Sequence, residues 1–239
     1  VRNLAKGGNV CLQLGDVYIK GSPAKSTYIH ELIVDLKRRL GLFYMNTITW
    51  RSNKPPGPIA WSAKKRIQCH DAAEYCIWFS NDPEHCIANN QRELEPHTEK
   101  HLQLIARGGE NRTAINGDGA YRIKPGSYGK PTAGRIMRNV LEISNVCASQ
   151  RAYKRRAKEL GLVPHGATMP LALARKLVRF LSDVGQLCVD PLGGSLTTGL
   201  ACELEGRPWI ATDVVFDYIR GAAERFTEFE GFELALDVL

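Results

Sequence analysis

The chain has 239 residues, 44% of them hydrophobic, which is enough to bury one sizeable core and carry an insert. No run of about eighteen apolar residues occurs and the first residues lack the apolar segment of a secretion signal, so neither a membrane span nor export is indicated and a cytoplasmic location is expected. The formal charge of +7 suits an anionic partner, and the seven cysteines (Cys11, Cys69, Cys76, Cys86, Cys147, Cys188, Cys202), odd in number and without a Cys-x-x-Cys pair, point to buried free thiols and to no metal.

Taken in order, Val1 to Lys6 predicts the end of a helix, Gly7-Gly8 a stop, and Asn9 to Asp16 a buried strand. Gly21 and Pro23 mark a loop. From Ser26 to Leu40 the apolar residues Tyr28, Ile29, Leu32, Ile33, Leu36 and Leu40 recur at helical spacing, with Lys37, Arg38 and Arg39 in the last turn and Gly41 as the stop. Tyr44 to Trp50 predicts a strand. Arg51 to Pro58 is a loop, because its prolines remove donors and its glycine breaks the period. Glu74 to Phe79 predicts another strand, followed by a loop through Asn81-Asp82-Pro83.

Residues 92–138 contain seven glycines and little hydrophobic periodicity, which marks an irregular insert. Between 100 and 160 there are thirteen Lys and Arg against four Asp and Glu, a local excess that suits a polyanion. Order returns at Arg138 to Ile143, with a basic helix near 148–160 and a helix ending at Leu181.

The most informative stretch is Cys188-Val189-Asp190-Pro191-Leu192-Gly193-Gly194-Ser195-Leu196-Thr197-Thr198-Gly199, then a helical run, then Trp209-Ile210-Ala211-Thr212-Asp213. It predicts a strand, a Gly-rich turn, a helix and a second strand ending in a carboxylate. The glycines would let a ligand approach the backbone, and the helix would present its first amides to it. Asp213, about twenty residues on, is placed to accept hydrogen bonds from both ribose hydroxyls of an adenosine.

This stretch, with Glu203 to Ala211, Tyr218 and Arg225-Phe226, closely resembles the S-adenosylmethionine motif of bacterial DNA amino-methyltransferases. Leu192 stands where that family usually has Phe and Asp213 where it more often has Glu, which implies weakened cofactor contacts and not abolished ones. The resemblance extends through Gly15-Asp16-Val17-Tyr18, Gly21-Ser22-Pro23 and Tyr28, through Ile48 to Asn53 with Pro55-Pro56-Gly57-Pro58 and Arg66, through Ala73 to Ser80 and Asn90-Gln91-Arg92, and through Asn139 to Ile143 and His165-Gly166-Ala167-Thr168-Met169-Pro170. Matches in this order imply an α/β fold: a Rossmann-like, permuted methyltransferase sheet lacking its first catalytic strand, with residues 1–91 as the later part of the catalytic half, 92–138 as a target-recognition insert and 139–239 as the cofactor-binding half.

The family holds a flipped base with Asp/Ser/Asn-Pro-Pro-Tyr/Phe, and these 239 residues contain no such motif. Pro55-Pro56 lacks both the polar acceptor and the aromatic ring. The resemblance therefore implies an N-terminally truncated enzyme, with no catalytic residue assigned here, or a degenerate binding relic; a methyltransferase of RNA or protein is the third reading. The Gly-Ser-x-Thr-Thr-Gly form leans toward cytosine over adenine. Asp190, Pro191, Leu192, Gly193, Gly194, Ser195 and Thr197 are expected at the methionine end of S-adenosylmethionine, Asp213 at the ribose, and Thr168 and Met169 beside the cofactor. Trp209 and Phe226 are expected in the core. Arg51, Lys64, Lys65, Arg66, Arg122, Lys124, Lys130 and Arg135 are candidates, on loops, for contacts with double-stranded DNA. A cognate restriction endonuclease is the implied genetic partner.

Overall fold

Short apolar strands build the first sheet. Strand β1 (Asn9–Leu14) leads by a loop to helix α1 (Tyr28–Leu40), which ends as its sequence requires: Gly41 takes a left-handed φ of 67° and its amide returns to the Lys37 carbonyl at 3.2 Å. Strand β2 (Phe43–Arg51), a π-helical turn at Ala60–Lys64 and strand β3 (Ala73–Ser80) follow. The structure is a computed structural model that describes residues 2–53, 59–117 and 119–235, so Val1 and the Lys54 to Pro58 part of the expected loop lie outside the described residues.

The chain divides into two units, one of residues 1–89 with 138–239 and one of residues 90–137. The second unit contains strands β4 (Leu94–Glu95), β5 (Ala114–Asn116), β6 (Tyr121–Ile123) and β7 (Arg135–Ile136), with helix α2 (Glu99–Ala106) between the first two. β4 pairs with β7 and β5 with β6, both antiparallel. The sequence reading missed α2, although Thr98 is a good N-cap whose hydroxyl accepts from the His101 amide at 3.3 Å. Ile123 is a buried apolar side chain of this unit, whose backbone is shaped by close glycine approaches. A Cβ on Gly129 would stand 2.3 Å from the Gly108 carbonyl oxygen.

The first unit resumes with β8 (Val140–Glu142), α3 (Ala148–Glu159), α4 (Leu171–Leu181), β9 (Cys188–Asp190), α5 (Thr197–Leu204), β10 (Trp209–Ala211) and α6 (Phe216–Ala223). Its strands form a four-stranded sheet in the order β1-β3-β2-β8, antiparallel except for β2 with β8, and a separate parallel pair, β9 with β10. The α/β class agrees with the expectation, but the strands lie in two sheets: among the described residues no strand bridges β9 to the larger one.

Ile29 of α1 packs with Leu42, Ile77 and Phe79 against the large sheet. Residues Leu173, Ala174, Leu177, Val178, Phe180 and Leu181 make the buried face of α4, spaced three and four apart. Ala201 and Cys202 are small enough to let α5 close onto Ala174 and Val178. On its other side α5 joins α3 and α6 through Tyr153, Ala157, Leu196, Leu200, Ala222 and Phe226. The Asn9 side-chain amide donates to the Leu181 carbonyl at 2.7 Å, and Trp78 meets Phe180 edge-on at 5.1 Å, tying the end of α4 to the large sheet.

Two expectations are corrected. Arg2 to Gly7 form turns and not a helix end, and the Asn81 side-chain amide donates to the carbonyls of Leu4 and Ala5. The cysteines are free, but only Cys76 and Cys202 are buried, and Cys69 is exposed in the loop before β3.

Glu205, just past α5, accepts from Arg175 Nε and Arg179 Nη1 at 2.6 Å each. Burial pushes its carboxyl up, but the two guanidinium groups outweigh that and hold it below the usual glutamate range. A folded-state pKa below the unfolded one contributes stability that is present above the unfolded value of about 4.3 and lost as pH falls through the folded value. The melting-temperature gap between the wild type and Glu205→Gln is therefore expected to be constant near neutrality and to close below about pH 4, measured by circular dichroism. A gap that does not change with pH would remove this role.

Candidate cofactor site

β9 and β10 run parallel, with Asp190 opposite Ala211, so the turn after one and the carboxylate after the other meet at a common edge. The Thr212 amide donates to the Asp190 carbonyl at 3.0 Å, the Gly193 amide to the Thr212 carbonyl at 2.7 Å, and the Leu192 amide to Asp190 Oδ1 at 3.1 Å. Asp213 then braces the turn from below. Its Oδ2 accepts from the Gly194 amide at 2.8 Å and its Oδ1 from the Val215 amide at 2.9 Å. Each carboxylate oxygen retains a lone pair after these bonds.

The glycines serve the protein's own close approaches as well. A Cβ on Gly193 would lie 3.0 Å from Leu196 Cδ2 and 3.1 Å from Ala211 Cβ. Gly194 has φ +50°, and its Cβ would meet the His165 ring at 3.3 Å. Gly199 lies flat on Trp209, whose ring carbons would be 2.7 Å from an added Cβ. Trp209 in turn stacks on Phe226 with centroids 4.9 Å apart, so Phe226 is buried in the core and Trp209 packs half-buried against it. Leu196, which precedes α5, takes a left-handed φ of 51°, a strained conformation for a branched side chain.

Gly193 through Thr197 are buried, while Pro191 and Leu192 are exposed. Ser195 and Thr197 therefore do not line an open surface: their hydroxyls are 3.0 Å apart and turned into the protein, where Thr197 also accepts from Arg225. The open side of the site carries Leu192, 80% exposed, and Val214, 96% exposed. Two bare apolar side chains flanking a carboxylate at the C-terminal ends of parallel strands suit a flat, partly apolar ligand with hydroxyl groups.

Thr168 and Met169 line a cavity of about 280 Å³ together with Trp50, Glu74, Gln150 and Lys154. The segment that carries them connects the cavity to the turn, because His165 covers Gly194 and meets Tyr218 edge-on at 4.9 Å. Sequence reasoning missed what holds this segment. Along one face of α3, Gln150 Nε2 donates to the Thr168 carbonyl at 2.7 Å, Tyr153 Oη accepts from the His165 amide at 2.8 Å, and Lys154 Nζ donates to the Gly166 carbonyl at 2.9 Å. The i, i+3, i+4 spacing was a usable signal, hidden by the helix's charge. Gln150 Oε1 also accepts from the Cys147 amide at 2.9 Å, capping α3, so Gln150→Ala loses two bonds and is expected to cost about 1–3 kcal/mol, with faster amide exchange at 166–169; unchanged exchange there would show that Tyr153 and Lys154 suffice.

The nucleic-acid candidates divide between the units. In the first, Arg51 ends β2 and pairs with Glu142 at 2.7 Å, Lys64 closes the π-helical turn, and Lys65 lies 5.6 Å from the Trp61 ring centre, followed by Arg66 with φ 58°. In the second, Arg122 is in β6, Arg135 in β7 pairs with Glu95 at 2.8 Å, and Lys124 and Lys130 are in loops. The expectation that all eight lie on loops is thus corrected for Arg51, Lys64, Arg122 and Arg135. Arg51 and Arg135 are also matched to carboxylates, which lowers their availability to phosphate.

Residues 1–224 match the family described as DNA methylase. The chain is 31% identical over 228 residues to the Type II methyltransferase M.PvuII of Proteus hauseri, covering 95% of this chain and 67% of that protein. It is 35% identical over 220 residues to the Type II methyltransferase M.HpaI of Haemophilus parainfluenzae, covering 92% of this chain and 56% of that protein. The solved PvuII DNA methyltransferase (cytosine-N4-specific) superposes with a TM-score of 0.70 at 27% identity, covering 94% of this chain and 65% of that one. The Thermus thermophilus protein TTHA0409, at 22% identity and a TM-score of 0.56 over 97% of this chain and 75% of that one, shares the fold. The chain thus spans 67% and 56% of the lengths of these two curated relatives and 65% of the solved PvuII chain. On the match of its family model and of these relatives, the chain belongs to the DNA methylase family.

Proposed function

We propose that this chain forms the greater part of a site-specific DNA methyltransferase that moves a methyl group from S-adenosylmethionine to the exocyclic amine of cytosine or adenine in double-stranded DNA. The observation that carries this reading is the turn braced by Asp213, on a chain of this family. The residues fit the cofactor: Asp213 keeps acceptor capacity for ribose hydroxyls, Leu192 and Val214 offer apolar surface to a purine, and His165 Nδ1 is buried beside the turn without a partner among the described residues. When bound, the cofactor supplies an electrophilic methyl on a sulfonium. Asp213 holds the turn and orients the ribose, and Asp190 holds the turn at the methionine end, while Thr168 and Met169 wall the cavity we assign to the methyl end. The relative named as cytosine-N4-specific favours cytosine.

In this reading residues 1–91 belong to the catalytic half, 92–138 read the target sequence and 139–239 hold the cofactor. No described helix is long and apolar enough to cross a membrane. The cytoplasm is the proposed location, and a cognate restriction endonuclease the proposed genetic partner. A target amine must leave the base stack to be methylated, and these residues carry no Asp/Ser/Asn-Pro-Pro-Tyr/Phe to hold it. That observation favours a second reading, a relic that binds cofactor or DNA without catalysis.

Methyl transfer from labelled S-adenosylmethionine to duplex DNA, RNA and protein, followed by nucleoside analysis, tests both. N4-methylcytosine or N6-methyladenine in DNA supports the first. Cofactor binding without transfer supports the relic. Label in RNA or protein would overturn both. Sequencing the genomic DNA upstream of the Val1 codon shows whether an in-frame Pro-Pro-Tyr exists.

A further inference from the structure

Arg225, two residues past α6, is a half-buried cation with no anion bonded to it among the described residues. Its Nη1 donates to the Ser195 carbonyl and to Thr197 Oγ1 at 3.0 Å, and its Nη2 to Ser149 Oγ at the start of α3 at 2.6 Å. The guanidinium lies 5.8 Å from the centre of the Tyr153 ring, the same Tyr153 that holds His165, and its Nε is buried without a hydrogen bond to any described residue. The adjacent Glu224 bonds Arg156 and Arg220 instead. Burial pushes the Arg225 pKa down to about 10, while Cys147 and Tyr153 oppose that shift.

Drawing a charge partly out of water with no anion bonded to it is costly, so its retention needs a reason. The reason is at hand in the turn. Leu196 is strained, and Arg225 grips the residues on either side of it, the Ser195 carbonyl and the Thr197 hydroxyl. Such strained residues persist where their surroundings over-determine them. Three acceptors diverge from this point, and a planar five-donor fork reaches them where a lysine ammonium does not.

We propose that Arg225 is a positioning residue: it fixes the Ser195–Thr197 turn from behind, and through that turn sets the shape on which cofactor affinity depends, without touching the cofactor. This rests on the cofactor site proposed above. Arg225→Ala, Arg225→Lys and Thr197→Val are compared with the wild type by amide hydrogen exchange over residues 193–198 and by calorimetric titration with S-adenosylmethionine, with circular dichroism melts reporting the fold.

Arg225→Ala is expected to speed exchange at the turn and weaken the cofactor, each about tenfold or more, with added guanidinium restoring both in part. Arg225→Lys is expected to recover little. Should the alanine variant fail to fold, Arg225→Lys and Thr197→Val decide by the same two readouts. Turn exchange and affinity within about twofold of wild type in a folded variant, or full recovery by lysine, would overturn the proposal. A wild-type chain that binds no S-adenosylmethionine would sink the cofactor reading instead, and turn exchange would still judge Arg225.

Discussion

Asp213→Ala is expected to weaken S-adenosylmethionine binding by about 1–3 kcal/mol, the scale of a hydrogen bond to a charged acceptor. The structure adds a second loss. The Gly194 and Val215 amides both end on this carboxylate, and alanine leaves them without it. Stability should therefore fall by about 1.5–3 kcal/mol, the range for hydrogen bonds to charged groups, with the turn loosening around Gly194. Asp213→Asn separates the two effects, since the amide keeps one acceptor oxygen for a backbone N–H but cannot receive two hydroxyls as well. Calorimetry on the asparagine variant should show most of the affinity loss with less of the melting loss. Unchanged affinity in both variants would remove Asp213 from the ribose.

Gly199→Ala is expected to cost about 1–3 kcal/mol, the range for inserting a methyl group into a packed core. An alanine Cβ would stand 2.7 Å from two carbons of the Trp209 ring. That ring cannot retreat freely, because it stacks on buried Phe226 and its indole N–H donates to Glu203 at 2.8 Å. Relief must come from moving α5 away from β10, which shifts the turn that begins the helix. The expected signature is a lower melting temperature together with a changed Trp fluorescence spectrum, followed by weaker cofactor binding. A melting temperature within error of the wild type would mean that α5 can slide without cost, against its close packing on Trp209.

The helices and long strands were legible because period and punctuation agreed. In α1 the apolar spacing, the basic last turn and Gly41 all point the same way, the second half of β2 alternates between buried and more exposed positions, and β3 is an apolar run bounded by loops. The glycine turn was legible as a position but not in its physics. Nothing in Gly193, Gly194 and Gly199 reveals that their neighbours are Ala211, His165 and Trp209, because those contacts join residues set apart along the chain. The same holds for Ser195 and Thr197, whose inward aim depends on Arg225. The resemblance implied a cofactor-side role for Thr168 and Met169, but the three α3 side chains that fasten their segment could be found only once helix and segment were in register.

Amide hydrogen exchange of the chain with and without saturating S-adenosylmethionine tests the central claim most directly. The account predicts saturable protection concentrated at 190–196, 165–169 and 212–215, with residues 90–137 unaffected. An absence of saturable binding, or protection confined to another part of the chain, would contradict it.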